Sequence, residues 1–205
     1  MMIVIAASDN QWNELTVSGV SIDWQRVDDA ADFIQHEKAD AFFNLKDNKI
    51  QPVFESLKRP VFVNSVVQTL TSLNAPSNVY RINGWAGFLI RPVWEITGAI
   101  NEEVQSLFST LNIKINFVKD QPGFISARII AMIINEAYFA VEDEVSSKPE
   151  IDTAMKLGTN YPFGPFEWAT LIGPENILAL LQKLNETDER YKPSQVLINE
   201  ILENN

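Results

Sequence analysis

Few residues in this chain have the chemistry to act on a substrate, and their types narrow the choices at once. There is no cysteine, which removes thiolate nucleophiles and any disulfide framework. There is one histidine, His36, so a multi-histidine metal site is excluded. His36 falls near the end of a short helix expected over residues 28–37, capped by Asp28 or Asp29. The helix dipole favours a cation there, and a lone histidine in that place is ordinary surface. A phosphate-cradling loop needs glycines after a first strand, so that the backbone can approach the anion. Residues 6–11 read Ala-Ala-Ser-Asp-Asn-Gln, with no glycine and with Asp9 where the phosphates would lie. What remains is a pair of residues at an expected strand end, the kind of place that lines the ligand crevice of an open α/β sheet, and a glycine-containing stretch further on, which the resemblance described below brings into the same crevice. They are Asn64, Ser65, Gly84, Trp85, Gly87 and Arg91, with Glu95 just beyond. Arg81 and Arg91 are the basic residues near that stretch, a thin provision for a polyanion.

The elements that must position these residues can be read from apolar runs. Residues 2–7, 21–27, 41–45 and 60–64 read as short buried strands. Residues 28–37 and 50–58 read as helices, the second with Pro52 in its first turn. Residues 10–18 are too few for a full crossover helix, so a bare strand-to-turn connection is expected there. The alternation argues a parallel α/β sheet. An amphipathic helix over 101–111, with Glu102 and Glu103 in its first turn, and a last strand over 113–118 complete a first domain, residues 1–119.

A second domain, residues 120–205, reads as all-helical. A helix expected to run to about Val145 is apolar on nearly every face from 124 to 141, yet Arg128, Asn135, Glu136 and Glu142 interrupt it too often for a membrane span. Ser147 and Glu150 match a capping box, with Gly158 as the residue that ends that helix. Pro162, Gly164 and Pro165 form a rigid corner, in which Gly164 is expected to take a backbone angle open mainly to glycine. Residues 166–172 end at Gly173-Pro174, 177–184 are amphipathic, and Ser194 caps a last helix over 195–202.

The chain has 205 residues, 46% of them hydrophobic, a formal net charge of −11 and a pI near 4.5. Such a surface repels nucleic acid and anionic membranes, so neither is an expected partner. The N-terminal run lacks a basic segment and reads as a strand rather than a signal peptide, which makes a cytoplasmic placement the expectation.

Four ordered motifs carry a resemblance. They are Asp120-Gln-Pro-Gly-Phe-Ile-Ser-Ala-Arg128, Ile151-Asp152 followed by Met155-Lys-Leu-Gly158, Tyr161-Pro-Phe-Gly-Pro-Phe-Glu167, and Arg190-Tyr-Lys-Pro-Ser194. Over about residues 119–202 the chain resembles the C-terminal domain of the 3-hydroxyacyl-CoA dehydrogenase family. The resemblance implies a shortened, degenerate Rossmann-like parallel sheet followed by a helical domain of the family's C-terminal type, an α/β plus all-α chain. The family uses NAD, a histidine base oriented by a glutamate, and an asparagine in the first motif. Here Ala86 and Ala127 stand in the histidine and asparagine positions, and Glu95 is the remnant that matches the glutamate. The family's serine motif keeps only Asn64 and Ser65, followed by Val66 and Val67.

The resemblance therefore implies a catalytically degenerate relative, with no catalytic residue and no bound cofactor expected. It would act as a dimeric ligand- or protein-binding module. A homodimer through the helical domain is the expected assembly, and an acyl-CoA-like or other small molecule is the ligand class. The alternatives are an active NAD-dependent 3-hydroxyacyl-CoA (3-hydroxybutyryl-CoA) dehydrogenase of fatty-acid metabolism, or a partner subunit of one.

Overall fold

A computed structural model of the chain describes residues 1–17 and 21–203. The chain divides into two compact units, residues 1–124 and 125–205.

The first unit is built on a seven-stranded sheet: β1 (Met2–Ala6), β2 (Asp23–Val27), β3 (Ala41–Asn44), β4 (Val61–Asn64), β5 (Val79–Ile82), β6 (Val93–Thr97) and β7 (Lys114–Phe117). Their order is β2-β1-β3-β4-β5-β6-β7. The first five strands are parallel, β6 runs antiparallel to β5, and β7 is parallel to β6. Side chains alternate across a strand, so β1 divides its residues between two cores. Ile3 and Ile5 join Phe43, Phe62, Tyr80 and Phe108 on one face, while Val4 and Ala6 join Phe33, Phe42 and Phe54 on the other. The first face is covered by α1 (Asp9–Thr16) and α2 (Glu102–Thr110) through Leu15, Val104, Leu107 and Phe108. The second is covered by two 3₁₀ turns, Ala30–Gln35 and Pro52–Ser56.

Three local readings of the first unit need correction, and two strands were unforeseen. The connection after β1 is a helix rather than a bare turn. Ser8 caps α1 by accepting from the Gln11 amide at 3.3 Å, and the Gln11 side chain accepts from the Ser8 amide at 3.1 Å. Eight residues suffice because α1 needs only Leu15 to reach the core. That reading extended to Ser18, which lies outside the described residues. The two expected helices at 28–37 and 50–58 tighten to 3₁₀ turns, since each offers one large buried anchor, Phe33 or Phe54. Strands β5 and β6 lacked an expectation: β5 reads Val-Tyr-Arg-Ile, and its mid-strand arginine hides a fully buried position.

In the second unit α3 (Ser126–Glu142) packs against α4 (Lys148–Thr159), α5 (Pro165–Ile172), α6 (Pro174–Asn185) and α7 (Gln195–Glu203). Its buried face is Ala127, Ile130, Ala131, Ile134, Ala137 and Tyr138, the spacing of one helical stripe. Asn135 is 2% exposed on that stripe, donating to the Lys192 carbonyl at 2.9 Å and accepting from the Ser194 amide at 2.9 Å. The capping box of Ser147 and Glu150 is present, and hydroxyls of Ser147 and Ser146 hold the exposed Glu150 carboxyl down to about 2.

Gly158 does not end α4. The helix runs through it, and Asn160 takes the left-handed cap at φ 56°. Gly164 has an ordinary φ of −73°, so the expected special backbone angle is absent. The need for glycine is steric: a Cβ there would lie 2.3 Å from Asp152 Oδ1 and 2.4 Å from its Cγ. Asp152 is buried and accepts from the Phe166 amide at 2.8 Å, capping α5 from another helix.

Candidate crevice at the strand ends

In an open α/β sheet the ligand crevice lies beyond the carboxyl ends of the strands, where the strand order reverses. Here the chain leaves β1 for β2 on one side and then crosses to β3 on the other. The crevice is therefore bounded by residues 7–8, Leu45, Asn64 and the turn that follows β5.

The structure brings Asn64 and Gly84 together. Asn64 Oδ1 accepts from the Gly84 amide at 2.9 Å, and its Nδ2 donates to the Leu45 carbonyl at 3.2 Å. A Cβ on Gly84 would meet Asn64 Cγ at 2.9 Å, so this approach depends on glycine. Gln11 reaches in from α1 and donates to the Leu45 carbonyl at 2.8 Å and the Gly84 carbonyl at 3.1 Å. Glu14, one turn on, accepts from the Gly87 amide at 2.8 Å. Gln11 and Glu14 were missed as crevice residues. The Ser8-to-Gln11 spacing of a capping box was the signal that would have placed a helix, and hence both side chains, at this edge.

The remaining expected residues do not converge. Ser65 is 1% exposed and its hydroxyl donates to the Gln68 carbonyl at 2.9 Å, so it faces the protein and lines no crevice. Trp85 is buried, edge-on to the Phe88 ring, which is buried with it. Arg91 Cζ lies over the Phe88 ring at 3.8 Å from its centroid; burial lowers its pKa while Glu95 opposes the shift. Glu95 is half-buried on β6, and Ala86 is half-buried in the turn after β5. Ala127 belongs to the second unit, fully buried on α3.

One of the amides that would face a dinucleotide pyrophosphate is taken up by the protein itself. The Gln11 amide in the first turn of α1 is bound by Ser8, and the turn has no glycine. Asp9 adds a carboxylate, paired with Arg26 at 2.7 Å. These residues do not fit the cofactor that the family resemblance implies. Among the described residues no helix is long and apolar enough to cross a membrane.

Comparison with known proteins agrees with the helical motifs. Residues 123–205 match the family described as 3-hydroxyacyl-CoA dehydrogenase, C-terminal domain. A 3-hydroxyadipyl-CoA dehydrogenase of Escherichia coli K12 is 46% identical over 82 residues, 39% of this chain and 17% of its own length. A 3-hydroxybutyryl-CoA dehydrogenase of Bradyrhizobium diazoefficiens is 40% identical over 82 residues, 39% of this chain and 28% of its own length. The matched stretch thus spans less than a third of either relative. The crystal structure of (S)-3-hydroxybutyryl-CoA dehydrogenase from Ralstonia eutropha superposes with a TM-score of 0.75 at 18% identity, over 99% of this chain and 93% of that one. That of 3-hydroxybutyryl-CoA dehydrogenase from Escherichia coli K12 gives 0.77 at 17% identity, over 100% and 56%. At such identities the likeness is one of fold, an α/β sheet unit followed by a helical unit. The family match is thus carried by the helical unit: residues 123–205 are similar to the C-terminal domain of 3-hydroxyacyl-CoA dehydrogenases.

Proposed function

We propose that this chain is a catalytically silent member of the family, a dimeric ligand- or protein-binding module rather than a working dehydrogenase. The observation that carries this reading is the crevice at the strand ends. Gln11 and Asn64 tie the backbone of Leu45 to that of Gly84, and Gly87 is bound by Glu14. The same region lacks a glycine loop, and Ala86 stands where a base would be needed. Losing a general base alone typically costs about two to four powers of ten in rate. Without a cofactor loop there is no route for a hydride. A cytoplasmic place beside fatty-acid metabolism and an acyl-CoA-like or other small ligand belong to the same reading, as does the lack of nucleic-acid and membrane partners on an acidic chain.

Turnover tests this directly. Acetoacetyl-CoA with NADH is expected to give no rate above the no-enzyme control. Ala86→His with Ala127→Asn is expected to leave it there, since neither change builds a cofactor loop. NADH consumption by the parent would favour the active dehydrogenase of the alternative reading. Rescue by the two changes alone would mean that the sheet unit still binds the cofactor.

The assembly follows from the side of α3 that its own unit leaves uncovered. Ile125 and Ile129 are 50% and 55% exposed, with Met132 and Ile133 half-buried beside them on successive turns. A two-fold contact is self-complementary, so this face can meet its own copy. Light scattering of dilute protein is expected to give the dimer mass, and Ile129→Asp to shift it to monomer. A monomer mass at every concentration would remove the dimer from the account.

A further inference from the structure

Arg81 is the largest fully buried side chain among the described residues, at 0% exposure. Burial pulls its pKa down, and Asp120 opposes that. Its guanidinium reaches two segments that are far apart in sequence. Nε donates to the Ser65 carbonyl at 2.9 Å and Nη2 to the Val66 carbonyl at 3.3 Å, both just past β4. Nη1 is paired with Asp120 Oδ1. Asp120 in turn accepts from the Leu70 amide at 3.1 Å and the Thr71 amide at 3.3 Å. The loop closes through the Gly123 amide, which donates to the Val66 carbonyl at 2.7 Å.

The last residues before the second unit are held in unusual conformations. Gly123 has φ 82° and Phe124 φ 49°. A non-glycine residue at positive φ persists only where its surroundings over-determine it. The Phe124 ring lies under the Arg81 guanidinium at 4.7 Å, which supplies that constraint.

We propose that Arg81 and Asp120 form a conformational latch, joining residues 65–73 and the linker 120–124 into one cooperative element that opens as a whole. Residues 65–73 follow directly on Asn64 in the crevice, and residue 125 begins the second unit. The latch therefore links the crevice end of β4 to the point where the chain leaves the first unit.

Amide hydrogen exchange by NMR on the full chain tests this. In Asp120→Asn the Leu70, Thr71 and Gly123 amides are expected to exchange together, faster by about tenfold or more, while β1 and β3 amides stay protected. Gly123 is the deciding probe, because its amide touches Val66 and not Asp120. Faster exchange at Leu70 and Thr71 alone, or at none of the three, would reduce Asp120 to a local turn cap and overturn the proposal. Should Asp120→Asn fail to fold, the parent protein in sub-denaturing urea serves instead. Its Leu70, Thr71 and Gly123 amides are expected to converge on one opening transition below the global one, and separate transitions would contradict the latch.

Discussion

Gly164→Val is expected to destabilise the second unit by about 3 kcal/mol or more, from overpacking together with a disrupted buried hydrogen bond. The site has no room. The first added carbon would sit 2.3–2.4 Å from three atoms of Asp152. Asp152 cannot retreat without releasing the Phe166 amide and so uncapping α5. Glu167 binds the Gly164 amide at 2.9 Å from the other side, which fixes the backbone as well. Gly158→Ala is the control. It lies inside α4 with nothing within 4 Å of the added carbon, so alanine is expected to gain roughly 0.5–1 kcal/mol. Urea unfolding followed by far-UV circular dichroism separates the two. A Gly164→Val protein as stable as its parent would remove the steric account of the corner.

Arg81→Met is expected to cost about 3–5 kcal/mol, the usual consequence of breaking a buried charge pair by removing one partner. Methionine fills much of the same volume but takes the guanidinium donor from the Ser65 carbonyl and leaves the Val66 carbonyl with the Gly123 amide alone. The loss should appear in the first unit. Trp12, Trp24, Trp85 and Trp94 all lie there, and Trp168 alone lies in the second, so fluorescence reports mainly on the first. An unchanged fluorescence midpoint would show that Arg81 is replaceable by any apolar side chain of its size.

The helical unit was legible because its stops and starts are written locally. Ser147 with Glu150, Gly173-Pro174 and Ser194 are each contained within one helical turn, and the helices begin or end beside them. Strands β1, β3 and β4 were legible for a similar reason, as short apolar runs, and β2 and β7 formed within the strands expected over 21–27 and 113–118. What the sequence hid depends on contacts distant along the chain. Gln11 meets Gly84 across 73 positions, and Arg81 meets Asp120 across 39. No period or cap predicts such pairs. Gly164 shows the same limit: a special residue was visible, but its cause was a neighbour 12 positions earlier, Asp152, and not its own backbone angle. The candidate crevice was half legible. Asn64 and Gly84 do meet, whereas Ser65 is buried and donates to the Gln68 carbonyl.

In the reading we propose, Gln11, Asn64 and Glu14 occupy the strand-end crevice and no dinucleotide binds there. Isothermal calorimetry of the full protein with NADH addresses it most directly, with NAD as competitor. The account predicts no saturable heat at any concentration where a family dehydrogenase would be filled. Saturable binding in the micromolar range, displaced by NAD, would contradict it.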